Sequence, residues 1–268
     1  MTKRLLIITW FAVLLGVTSL FSVWRPTELP LAERLPLKLM PLFTEGGRYL
    51  VGGDEQGRPI LVHVLAGMAT SIRISLLAVT VALLLGLPYG ILAAWRGGWW
   101  ERSFLFLADC FQAFPGILLA IALAAFLPPS IVNLVLILGV MGWVGFARLA
   151  RAQVLSLRER EFLQATKAMG LPAHRVVACH LLPNMLRPLV VQASFALAGV
   201  ILAEATLSFL GLGLPPAIPS LGKMMDSGVR YLLLAPHLAM IPGLAIFSLV
   251  LTFNLLGDAL ADHLDPKR

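Results

Sequence analysis

The sequence predicts an all-α, polytopic membrane protein with six transmembrane helices and both termini on the cytoplasmic side. Three observations carry this. Of 268 residues, 59% are hydrophobic and only 13% charged, about half the charged share of a soluble domain, and the mean hydropathy is +0.87. Apolar runs long enough to cross a bilayer alternate with short polar turns. Arginine and lysine concentrate in every second turn. A chain of this kind packs its helices through small residues, and its 23 Gly and 18 Pro suit that mode of packing.

Lys3 and Arg4 precede an apolar run from Leu5 to about Trp24, read as the first span with its N-terminus inside. It is too long for a signal peptide and lacks an A-x-A cleavage site. Residues 25–69 form an external segment with five Pro. Within it, Gly52-Gly53-Asp54-Glu55-Gln56-Gly57-Arg58 reads as a turn with a charge pair. The second span is placed at about Ile72 to Trp95, with Pro88 between Gly86 and Gly90 marking a kink. The third runs from about Ser103 to Leu127, turning at Pro128-Pro129, and the fourth from about Ile131 to Ala147. The fifth covers about Leu189 to Leu210. An outer loop spans Gly211–Pro236, and the sixth helix is about His237 to Leu256. In outline, residues 1–69 hold the first helix and external segment, and 70–268 a five-helix core.

The positive-inside rule sets the orientation. Inner segments hold 13 Lys/Arg: Lys3, Arg4, Arg96, Arg102, Arg148, Arg151, Arg158, Arg160, Lys167, Arg175, Arg187, Lys267 and Arg268. Outer segments hold eight. The net charge of +7 therefore serves topology, and nucleic acid is not an expected partner.

Residues 156–188 interrupt the apolar pattern between the fourth and fifth spans. Phe162, Ala165, Thr166 and Met169 recur at i, i+3, i+4, i+7, one stripe of a short helix beginning near Arg158. Gly170 tolerates a positive φ at its end, and Pro172 suits the first turn of a second helix. Val176, Val177, His180 and Leu181 share a face of that helix, and Pro183 limits it. A helical hairpin follows, each arm roughly 12–15 Å long.

No P-loop, G-x-S-x-G elbow, H-E-x-x-H or CxxC pattern is present, so no catalytic residue, metal ligand or cofactor site is assigned. Cys110 and Cys179 form no disulfide or metal pattern. His63 and His237 are isolated. Asp109 and Glu204 are acids within spans, which require a partner or water; with Ser208 they are candidates for a translocation path. Asp109 can pair with Arg102 or the fourth helix.

The hairpin resembles the EAA loop of binding-protein-dependent ABC importer permeases. Gln164-Ala165-Thr166, Gly170 and Leu182-Pro183 fall in register with E-A-A, Gly and L-P. The departures are Gln for Glu, Thr for the second Ala, and His180 at the Ile position. His180, Leu182, Pro183 and Asn184 are similar to the peptide/nickel branch. So are Gly53-Asp54 through Gly57-Arg58, Arg73-Ile74-Ser75-Leu76, the run Glu204 to Gly213, Asn254 to Asp258, and Leu264-Asp265-Pro266. Leu221-Gly222 stands where that branch usually has Trp-Gly. The C-type subunit of dipeptide/oligopeptide importers is the best match.

The resemblance implies an ATP-driven importer of the bacterial inner membrane. In it this chain pairs with a second permease, and two cytoplasmic ABC ATPases bind below. Those partners hold the ATP and Mg, and a periplasmic binding protein delivers cargo from above. Glu161, Phe162, Gln164, Ala165, Thr166, Met169, Gly170, His180, Leu182 and Pro183 would form the ATPase-coupling surface. Asp54 and Arg58 are candidates for contact with the binding protein. Di- or oligopeptides are the expected cargo, with nickel or a metal chelate second. A self-sufficient secondary transporter would show inverted repeats and an intramembrane ion site, and an intramembrane hydrolase a nucleophile and base; neither is legible.

Overall fold

A computed structural model describes residues 50–264 and, before them, only Gly16, Lys38, Leu39 and Pro41. The expected first span apart from Gly16, most of the external segment, and the last charges of the C-terminal tail lie outside the described residues. Within them the chain is helical, and its only β pairing is an isolated bridge between Gly53 and Pro59.

The helices are α1 (Ile60–Arg96), α2 (Gly98–Gln112), α3 (Gly116–Phe126), α4 (Ile131–Arg158), α5 (Glu161–Ala168), α6 (Ala173–Val176), α7 (Leu182–Phe209), α8 (Leu221–Arg230) and α9 (His237–Leu264). A π-helical turn, Val177–Leu181, joins α6 to α7. Four described helices are long and apolar enough to cross a membrane, five if the bent pair α2–α3 counts as one span.

The second span starts at Ile60, well before the expected Ile72, and the boundary expected at 69/70 falls inside it. Its early turns are apolar and buried, with Ile60, Val62, Val64 and Met68 all under 8% exposed, so packing extends the helix past the point where hydropathy alone would start it. At 37 residues it is about 55 Å long, nearly twice a bilayer's hydrocarbon thickness. Pro88 lies within it without ending it. The flanking glycines serve packing. A Cβ on Gly86 would lie 2.3 Å from the Trp143 carbonyl oxygen, and one on Gly90 2.2 Å from that of Ala147. The two backbones therefore meet directly along the α1–α4 seam, as small-xxx-small spacing allows in membranes. Beside this seam Tyr89, Phe104, Phe111 and Trp143 cluster with centroids 5.6–6.2 Å apart, edge-on except for Tyr89 and Trp143, whose rings are tilted by 30°.

The third span is not one kinked helix. It breaks between α2 and α3 with an 81° bend. Pro115 lacks an amide hydrogen and disfavours helical geometry at Phe114, so the α2 ladder stops at the Ala113 N–H to Asp109 bond and restarts after Pro115. The fourth span also differs from expectation. Helix continues from Ala147 through the arginine-rich stretch to Arg158, held against α2 by Arg148–Asp109 (3.0 Å) and by Arg151 with Glu101. Pro183 does not limit the second hairpin helix either. In the π turn the Leu182 N–H reaches back five residues to Val177 O; this register shift leaves Pro183 at the first turn of α7, where a missing N–H costs little. Residues 173–209 thus act as one continuous span.

Candidate functional site

The loop between α4 and α7 folds into the expected compact hairpin. Arg158 donates to the Ala94 carbonyl at the end of α1 (3.2 Å), which anchors the start of the loop to the core. α5 spans Glu161–Ala168. Leu163 is fully buried, with Leu157, Val176 and Leu181 in the same core cluster, so α5 is seated on one face. Thr166 turns to that same face, 5% exposed, donating to Leu163 O at 2.8 Å. It therefore leaves the stripe assigned to it from periodicity: a buried threonine satisfied by its own backbone packs as a small residue.

The opposite face is open. Phe162 (39% exposed), Ala165, Ala168 and Met169 (70% exposed) lie on it, with Glu161 and Gln164 alongside. Gln164 Nε2 donates to Glu159 O at 3.1 Å. Gly170 has φ +68°, and nothing lies within 4 Å of where its Cβ would be. Around it the Leu171 N–H bonds to Thr166 O at 3.2 Å, the six-to-one closure of a Schellman ending. The corner is made by backbone conformation alone. The second arm returns beside the first, with the His180 ring centroid 6.4 Å from that of Phe162. Asn184 donates to His180 O at 2.7 Å, Leu182 is half-buried and Pro183 is exposed. The hairpin is thus fixed on its inner side and presents two apolar side chains, small residues and a carboxylate outward.

At the far end of the bundle from the hairpin lies a second constellation. Asp54 Oδ1 accepts from the backbone N–H groups of Gln56 (2.8 Å) and Arg58 (2.7 Å), while the Asp54 N–H bonds to Arg58 O at 2.9 Å. The turn expected there forms, and the Asp54 carboxylate is used to hold its backbone. Replacing Asp54 with alanine should expose the amides of Gln56 and Arg58 to hydrogen exchange about tenfold faster, the equivalent of one charge-assisted bond; Asp54→Asn, which keeps an acceptor, should change them little. This turn, the start of α1 and α8 enclose a cavity of about 230 Å³, with Glu55, Arg58, His63, Lys223 and Tyr231 among its lining. Burial there lowers the Lys223 ammonium from its ordinary value.

The acids within spans are placed differently from each other. Asp109 is 71% exposed and paired with Arg148 of α4. Glu204 is fully buried. It accepts from Ser71 (2.6 Å), Ser208 (2.8 Å) and Ser220 (3.2 Å). Ser71 and Ser220 could not be chosen from the sequence as its partners, since they stand 133 and 16 positions away. The only signal was the rule that an intramembrane acid requires a partner.

Comparison with known proteins accords with this arrangement. Residues 86–268 match the family model described as "Binding-protein-dependent transport system inner membrane component". The chain is 40% identical to the dipeptide transport system permease protein DppC of Alkalihalophilus pseudofirmus over 216 residues, covering 81% of this chain and 71% of that protein. It is 36% identical to DppC of Haemophilus influenzae over 257 residues, covering 94% and 87%. To the glutathione transport system permease protein GsiD of Pectobacterium atrosepticum it is 38% identical over 217 residues, covering 81% and 72%. Its fold is similar to a chain of the inward-facing MetNI methionine ABC transporter, with a TM-score of 0.62 and 19% identity over 77% of this chain and 98% of that one. A helical bundle with a seated hairpin and an open apolar face, matched by that family over two-thirds of its length, belongs to the inner-membrane components of binding-protein-dependent transport systems, and it is a permease subunit of an ABC importer.

Proposed function

We propose that this permease imports di- or oligopeptides, forming half of a path completed by a second homologous permease. Two cytoplasmic ABC ATPases, holding ATP and Mg, would bind under the hairpin, and an extracytoplasmic binding protein would dock at the end bearing Asp54 and Arg58. In this reading the chain has six spans, with both termini on the cytoplasmic side of a bacterial inner membrane. The relatives' names support the peptide cargo, and the positive-inside count supports the orientation.

The observation that carries the coupling role is the open face of α5. Phe162 and Met169 stand exposed on a helix whose other side is anchored. Burying Met169, 70% exposed, in a partner's groove would contribute about 1–2 kcal/mol, and the exposed part of Phe162 about 1 kcal/mol, while Ala165 and Ala168 let a partner backbone approach closely. Because 173–209 is one continuous span, a push on the hairpin tilts α7 as a rigid body. In this reading Asp109, exposed and paired with Arg148, is a candidate for the path.

Copurification tests this. The wild-type chain should bring down a second permease and ATPase subunits from membranes, and Phe162→Asp with Met169→Asp should lose the ATPases while keeping the permease. Proteoliposomes of the complex should take up labelled dipeptide when ATP and binding protein are supplied. ATP-independent uptake by the lone chain would sink the importer reading, and uptake of nickel but no peptide would sink the cargo.

A further inference from the structure

The far-end helix α8 is attached to the transport span in an unusual way. Ser220 occupies the N-cap of α8 but makes no cap hydrogen bond to its own helix, the use to which a serine there is ordinarily put. Its hydroxyl donates instead to Glu204 of α7 at 3.2 Å. The same carboxylate takes Ser208 of its own helix and Ser71 of α1. Backbones close the junction further. A Cβ on Gly222 would lie 2.1 Å from Ala205 O, and one on Gly67 would meet the Leu221 side chain at 3.1 Å. At the other end of α8, a Cβ on Gly228 would lie 2.5 Å from the Leu238 and Ala239 backbone of α9. α8 therefore has its first turn fastened to α7 and its last turn resting on α9. One wall of the far-end cavity is built from it, through Ser220, Lys223, Met224 and Ser227.

A carboxylate at this depth is costly unless its lone pairs are met, and here three hydroxyls meet them. Ser220 also lines the cavity, but its hydroxyl hydrogen, like those of Ser71 and Ser208, is spent on this carboxylate, so the arrangement joins three elements. We propose that Glu204 is a positioning residue, a latch that makes α8 travel with α7, so that motion delivered at the hairpin is carried along 173–209 and reshapes the far-end cavity. The inference rests on the importer reading for the source of the motion; the attachment itself does not. It gives the run from Glu204 to Ser208 a mechanical role in place of a lining one.

The test uses the assembled importer in lipid nanodiscs, with Cys110 and Cys179 replaced by serine. Spin labels are placed at Leu202 on α7 and Val229 on α8, both about half exposed. Their distance is measured without nucleotide and with ATP trapped. The latch requires that this distance change by less than about 2 Å between states while the complex turns over, against the one-turn scale of about 5 Å seen when packed elements slip. Ser220→Ala removes only the tie to α8, and because Ser220 does not cap its own helix the effect is not one of helix ending. This variant should broaden the distribution, let it differ between states, and lower peptide imported per ATP about fivefold or more. Ser220→Thr, which keeps the hydroxyl, should restore both. A native pair that already moves apart on ATP binding overturns the latch, and so does a Ser220→Ala protein with an unchanged distribution and full coupling. Should the unmodified assembly import no peptide, the functional reading falls, and the nucleotide-free width in wild type against Ser220→Ala still decides the latch.

Discussion

Replacing Gly90 by valine should deplete the protein from the membrane. The Cβ alone would stand 2.2 Å from Ala147 O and 2.9 Å from Ala147 C and Cα. These are backbone atoms of a buried helix and cannot rotate aside. The seam must open, and that parts the faces carrying Phe146, Ala147 and Ala150, all at most 1% exposed. Overpacking ordinarily costs 1–3 kcal/mol when side chains can shift; here the obstacle is main chain, and about 3 kcal/mol or more is expected, a large part of a marginal stability. Gly90→Ala should already be harmful, because the first added carbon makes the clash. Gly199 gives the contrast. It lies mid-helix in α7 with nothing within 4 Å of its Cβ position, so Gly199→Val should accumulate normally. Membrane level and thermal unfolding in detergent measure both. Equal tolerance at the two positions would mean that α1 and α4 do not meet as described.

That seam shows where the sequence was readable and where it was not. Hydropathy located the spans that lie within the described residues because the bilayer demands long apolar helices whatever they pack against. It placed their ends poorly, because ends depend on neighbours: α1 gains its first turns from burial, and α4 extends to Arg158 because Ala150, Val154 and Leu157 are buried in one cluster with Ile91 and Ala94 of α1 and Arg158 donates to Ala94 O. Gly86 and Gly90 were legible as small residues around a proline, not as the point of contact, since nothing local names the partner helix. The corner at Gly170 was legible because a helix ending with positive φ is a local matter. Thr166 was misplaced because periodicity assigns a face without saying which side is the core. The 81° break at Pro115 exceeds what a proline requires, and the π turn before Pro183 depends on a register shift that composition does not encode. Glu204 is the extreme case. Its chemistry demanded a partner, but the three serines that answer it come from α1, α7 and the start of α8.

The second large effect is expected at Gly170, and it should separate folding from coupling. Its φ of +68° is one that side chains with a Cβ adopt only at a cost, about 1–2 kcal/mol and most for β-branched residues. No neighbouring atom lies within 4 Å of the Cβ position, so isoleucine meets no clash and the whole cost is borne by the backbone of the corner. The corner relieves it by leaving the left-handed region, which breaks the Leu171 N–H to Thr166 O bond and changes the angle between α5 and the second arm. α7 and the core below Leu163 are untouched, so insertion and pairing with the other permease should persist. The ATPases should still bind and turn over, whereas peptide import should fall about tenfold, the equivalent of one such strain energy spent between ATP closure and the tilt of α7. Gly170→Asn is the discriminating variant, because asparagine tolerates this conformation and should retain most of the import despite its larger side chain. Loss in both variants alike would point to a steric requirement of the partner's groove. Normal import by Gly170→Ile would show that the corner does not set the angle through which force reaches the spans.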